Sequence, residues 1–182
     1  MGSETSKGLL LQAIPYLGQK KILKILTQDH GLISLMTRSS ASPFCIAEWV
    51  YKKTQKELST LTDFSLLDPL LELRQDYTLI TAAGSMARDL LRTQMPNKPA
   101  PFTLACAYFK KLPLNPQMML ASFRLKLLIH EGLLSSDVEP NFSDLEWEQL
   151  STLAFARQFS QIQEQKEAPL EKIGALFEEK LI

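Results

Sequence analysis

The chain has 182 residues, 45% hydrophobic and 22% charged, with 20 Lys+Arg against 20 Asp+Glu. That suits one globular domain or two small ones with a buried core, and it excludes disordered and low-complexity classes. Residues 1–130 carry 16 basic and 9 acidic residues, whereas 131–182 carry 4 and 11, a pattern that points to a basic working surface and an acidic tail segment. Cys45 and Cys106 lie far apart; they offer no disulfide framework or zinc cluster and fit a reduced, cytoplasmic setting. No apolar run approaches the roughly 18 residues of a membrane span.

In chain order, "KGLLLQAI" (7–14) is an apolar strand closed by the turn signal Pro15-Tyr16-Leu17-Gly18. "KKILKILTQ" (20–28) and "LISLMTR" (32–38) read as a hairpin around Asp29-His30-Gly31, where Gly31 can take positive φ. "PFCIAEWVYKK" (43–53) and "KELSTLTDF" (56–64) complete five short strands, the signature of a small barrel. Beyond Asp68-Pro69 the period becomes helical. Helices are expected over 77–95, 102–112, 117–131, 144–163 and 168–181. Gly132 reads as a C-cap and Ser143 with Glu146 as a capping box. Pro69 is expected in the first turn of the first helix. The expected class is α+β, with a five-stranded barrel over 1–67 and a helical domain over 68–182.

Three stretches carry a resemblance: "GLLLQAIPYLGQKKILKILTQDHGLISLMTR", "TLTDFSLLDPLLELRQD" and "SFRLKLLIHEGLL". In this order they resemble the RecO family of bacterial DNA repair proteins, over nearly the whole chain. The resemblance implies an N-terminal OB-fold and a helical C-terminal domain. It also implies binding of single- and double-stranded DNA, strand annealing and recombinase loading. The partners it implies are RecR and the acidic C-terminal tail of single-stranded-DNA-binding protein. Two departures stand out: the connector after the third strand is only "TRSSAS", without the family's basic extension, and no four-cysteine zinc insert follows "HEGLL".

No nucleophile triad, phosphate loop or metal-ligand spacing is present, so no enzyme, cofactor or metal is expected. The nucleic-acid candidates are Lys20, Lys21, Lys24, Arg38, Lys52, Lys53 and Lys56 on the strands, with Arg88 and Arg92 on the first helix. Lysines of this kind track phosphates while aromatics stack bases. Tyr16, Trp49 and Tyr51 are candidates for stacking; Trp49 and Tyr51 share a strand face that is either a stacking platform or the barrel core. On the 117–131 helix, Leu120, Leu127 and Leu128 surround Arg124, while Ser122 and Lys126 fall opposite. Arg124 then either pairs internally with Asp76 or Asp89, or with Leu120 and Leu127 receives the tail of single-stranded-DNA-binding protein. The reading is a non-catalytic recombination mediator; the alternative is a protein-interaction adaptor with the same fold and little DNA affinity.

Overall fold

A computed structural model describes residues 2–54, 58–93, 100–137 and 139–181. The strands are β1 (Ser3–Tyr16), β2 (Lys20–Thr27), β3 (Gly31–Thr37), β4 (Ile46–Lys52) and β5 (Leu58–Asp68). After a 3-10 turn (Leu71–Arg74) come α1 (Tyr77–Arg92), α2 (Ala100–Lys111), a second 3-10 turn (Leu112–Leu114) and α3 (Pro116–His130). The last helices are α4 (Asp144–Phe155), α5 (Phe159–Gln163) and α6 (Leu170–Lys180). The strands close a barrel in the order β1-β2-β3-β5-β4. Among the described strands only the β3–β5 pairing is parallel; the chain is α+β with the expected five-stranded OB-fold barrel.

Two compact units divide the chain. The first holds the barrel, the first 3-10 turn and α2 up to Lys110; the second holds α1 and everything from Lys111 onward. Helix α2 thus groups with the barrel, although the sequence pattern assigns it with the other helices. Phe44 packs on Phe109 with ring centroids 5.7 Å apart, and Lys110 pairs with Asp68 at 3.4 Å.

Period-2 alternation fills the barrel. Leu23 and Ile25 of β2, Leu35 of β3, and Ala47, Trp49 and Tyr51 of β4 point inward with Leu10 of β1. Gly8 lets β1 approach this core closely: a Cβ there would lie 2.5 Å from Ile25 Cγ2 and 3.1 Å from Leu26 O. Trp49 Nε1 donates to the Gly8 carbonyl at 3.0 Å, so the buried indole is satisfied.

Several boundaries differ from the sequence reading. Strand β1 continues through Pro15, which pairs with Lys21, so the turn is Leu17-Gly18-Gln19. Strand β4 begins at Ile46 rather than Pro43, because Phe44 sits at φ 64, with its N–H donating to Leu10 O at 2.7 Å. Pro69 does not open an α-helix. Leu70 takes φ 46 and starts only a 3-10 turn, and α1 begins later, capped by the Asp76 carboxylate, which accepts from Thr78 N–H. Asp68, Glu72 and Asp76 therefore do not share a helix.

In the second unit α3 is the central helix, contacting α1, α4 and α6. Most of it is buried, and the side opposite Arg124 is not a free polar face: Ser122 is buried and Lys126 half-buried. Ser122 Oγ donates to Leu153 O at 2.6 Å. Lys126 Nζ donates to Ala154 O at 3.1 Å and Ala156 O at 2.9 Å. These carbonyls end α4, and the expected 144–163 helix breaks there into α4 and α5. The capping box of Ser143 and Glu146 is formed. Gly132 takes φ 72, and Leu133 N–H reaches back to Leu128 O at 2.8 Å, a Schellman closure of α3.

Candidate nucleic-acid interface

Because Leu23 and Ile25 of β2 and Leu35 of β3 fill the core, their neighbours Ile22, Lys24, Ser34 and Met36 face outward. The pairing register then sets neighbours. Tyr16 of β1 sits opposite Lys20, Ile14 opposite Ile22, and Gln12 opposite Lys24. Across the next ladder Ile22 pairs with Met36 and Lys24 with Ser34. Met36 pairs in turn with Thr60, and Thr60 with Lys52. One continuous outward face therefore carries Lys20, Lys24 and Lys52, with Arg38 just beyond the end of β3 and a half-buried apolar row of Ile14, Ile22 and Met36 between. Cations around an apolar and aromatic strip are what a single strand requires: phosphates are neutralised while base faces lose water.

Two grooves mark this face. One, of about 400 Å³, is lined by Lys20, Arg38, Met36, Thr37, Ser39, Thr60 and Leu61, with no carboxylate among them. The other, of about 540 Å³, includes Lys24, Lys53, His30, Ser34, Tyr51 and Glu4. There Lys24 Nζ donates to Ser34 Oγ at 2.8 Å. Glu4 draws in Lys53 at 3.6 Å and His30 at 3.9 Å. The Tyr51 hydroxyl donates to Glu4 at 3.2 Å, and burial together with that carboxylate pushes its pKa up to about 12. Glu4 offsets the positive charge of the second groove, so the Lys20–Arg38 groove is the stronger place for a phosphate.

Other candidates fall elsewhere. Trp49 is 0% exposed and stacks on Phe64 at 5.2 Å, which corrects its reading as a base-stacking residue; Tyr51 is likewise in the core. Lys21 lies at the inward-facing parity, half-buried at the barrel end. Lys56 lies outside the described residues. Arg88 and Arg92 are on α1 in the second unit, where Arg92 makes two hydrogen bonds of 2.8 Å to Glu178. Arg124 pairs through Nε with Asp89 at 2.8 Å, not with Asp76, and lies over the Phe177 ring at 5.4 Å. Burial pushes the Asp89 carboxyl up despite the pull of Arg124. Leu127 is a core residue and Leu120 is half-buried.

The family described as Recombination protein O N terminal matches residues 1–70. The chain is 28% identical over 141 residues to the DNA repair protein RecO of Chlamydia pneumoniae, covering 70% of this chain and 56% of that protein. It is 28% identical to the RecO of Chlamydia trachomatis serovar L2 (71% and 59%) and 24% identical to that of Caldicellulosiruptor bescii (70% and 57%). The chain is thus similar to RecO proteins, by the family match over residues 1–70 and by these relatives over 70–71% of its length. It spans less than two thirds of the length of these RecO relatives.

The RecO match spans the whole barrel and so contains the outward face. Sequence reasoning found four of its cations but did not name Ile14, Ile22, Ser34, Met36 or Thr60. The signal was available for Lys20, Ile22 and Lys24, which alternate along one strand. It was not available for Thr60 and Lys52, which join the face only through the parallel β3–β5 pairing. No helix among the described residues is long and apolar enough to cross a membrane.

Proposed function

We propose that this chain is a non-catalytic DNA-binding protein of recombinational repair that holds single strands along the outward face of β1, β2, β3, β5 and the end of β4. One observation carries the reading: Lys20, Lys24, Arg38 and Lys52 share an uninterrupted face with Tyr16, Ile22 and Met36. The similarity to DNA repair protein RecO of two Chlamydia species supports it. Annealing of complementary strands and recombinase loading follow as its finer form, with double-stranded DNA, a RecR-like protein and the tail of single-stranded-DNA-binding protein as partners. For the tail, Arg124 would have to exchange Asp89 for the incoming carboxylate, and Leu120 is the one member of that trio besides Arg124 with surface to offer.

The test is an anisotropy titration of labelled single-stranded DNA at several salt concentrations. Each neutralised phosphate contributes a slope of roughly −0.7 in log K against log salt. Replacing Lys20, Lys24 and Arg38 together by Ala removes about two units of slope and weakens binding to all sequences alike. The adaptor reading draws on the exposed Leu66, Leu67 and Leu71 of the first unit. Binding that is absent or indifferent to salt, with the triple variant unchanged, selects it.

A further inference from the structure

The tip of the β1–β2 hairpin is built unlike an ordinary turn. Solvent-facing turns are composed of Gly, Asn, Asp, Ser and Pro, whose local geometry needs no burial. Here Leu17 stands 74% exposed at the apex and Tyr16 40% exposed beside it. Gly18 takes φ 67 to close the turn, and beyond its two chain neighbours nothing lies within 4 Å of where its Cβ would be, so the apex projects into open space. The strand that leaves this apolar tip, β2, opens with two cations: Lys20 lies opposite Tyr16 and Lys21 opposite Pro15. Lys20 also lines the groove that ends at Arg38.

We propose that Tyr16 and Leu17 form a wedge that enters the base stack where single-stranded DNA meets duplex. The inference rests on the DNA-binding reading of the barrel face. A strand whose phosphates follow Lys20 and Arg38 runs past the hairpin tip, and the first base pair it meets there faces an apolar side chain and an aromatic ring. Apolar side chains placed between base steps unstack them, and a base face stacks readily on tyrosine. The paired lysines make the surroundings of the tip cationic, which fits a polyanion rather than an apolar protein surface.

The experiment compares the full chain on a single strand and on a duplex carrying the same single-stranded overhang, with 2-aminopurine at the junction. The wedge predicts tighter binding to the junction than to the single strand and a rise in 2-aminopurine fluorescence as the base leaves the stack. Leu17→Ser removes no buried contact. It is expected to lose about tenfold in junction affinity, the scale of burying one leucine-sized apolar side chain, and the fluorescence rise, while keeping single-strand affinity and its salt slope. Equal affinity for the two DNAs, or a Leu17→Ser variant that keeps the junction preference, overturns the wedge and leaves the barrel-face reading standing. Failure to bind either DNA in a salt-dependent way overturns the barrel-face reading and the wedge with it.

Discussion

Gly8→Ala adds one methyl group at the tightest point of the barrel. The backbone there is not in the left-handed region, so alanine meets no conformational barrier and only space is at issue. Its Cβ would sit 2.5 Å from Ile25 Cγ2, 3.1 Å from Leu26 O and 3.2 Å from Trp49 Cδ1. None of the three can step aside cheaply. Ile25 is wholly buried and β-branched, so its methyl is held by a stiff χ1. Leu26 O belongs to a strand ladder, and the indole is tethered through Nε1 to the carbonyl of Gly8 itself. Overpacking of this kind costs about 1–3 kcal/mol. The loss of unfolded-state freedom on replacing glycine returns about 0.4–1 kcal/mol. The net is a destabilisation of about 1–2 kcal/mol, which lowers the melting temperature of a domain this size by roughly 5–15 °C. Scanning calorimetry on the whole chain reads this as a shift of the barrel transition. An unchanged or raised transition would refute the reasoning, because it would mean that β1 and β2 separate without cost.

Gly84→Ala is the counterpart: Gly84 lies inside α1 with nothing within 4 Å of its would-be Cβ, so alanine should stabilise the second unit by about 1 kcal/mol, read by the same calorimetry. A destabilising result would reveal a contact that the open space around Gly84 does not provide. Arg124→Ala leaves the 2% exposed Asp89 carboxylate without its guanidinium partner and should cost about 2–4 kcal/mol at neutral pH. Burial already holds the folded-state pKa of Asp89 above its unfolded value, and losing Arg124 raises it further. The folded variant therefore holds its proton to higher pH, so its deficit is smallest at acid pH, where Asp89 is protonated in both proteins, and grows as pH rises from the folded pKa of the native protein to that of the variant. Urea unfolding of both proteins across this range checks it, and a deficit that does not change with pH would count against an ion-pair role.

Local physics was legible in the sequence where one segment contains both halves of an interaction. Gly31 and Gly132 take positive φ at the turns that need it, and Ser143 with Glu146 cap α4 reciprocally. The alternation of Lys20, Ile22 and Lys24 puts two cations on one strand face. Tertiary structure decided what such patterns leave open. Period two says that Trp49 and Tyr51 share a face but not that this face is the interior; closure of β4 between β1 and β5 turned it inward and left Tyr16 as the exposed one of the three stacking candidates. In the same way α3 reads as amphipathic by residue type, yet it is the buried centre of its unit, because Ser122 and Lys126 find backbone carbonyls on α4 and beyond that satisfy them out of water. The break after Phe155 has no proline or glycine to announce it, since the carbonyls that end α4 are met by Lys126, 28 and 30 residues earlier in the chain. A donor that distant in sequence becomes a neighbour only when helices pack, and so no reading of the segment alone can place the end of that helix.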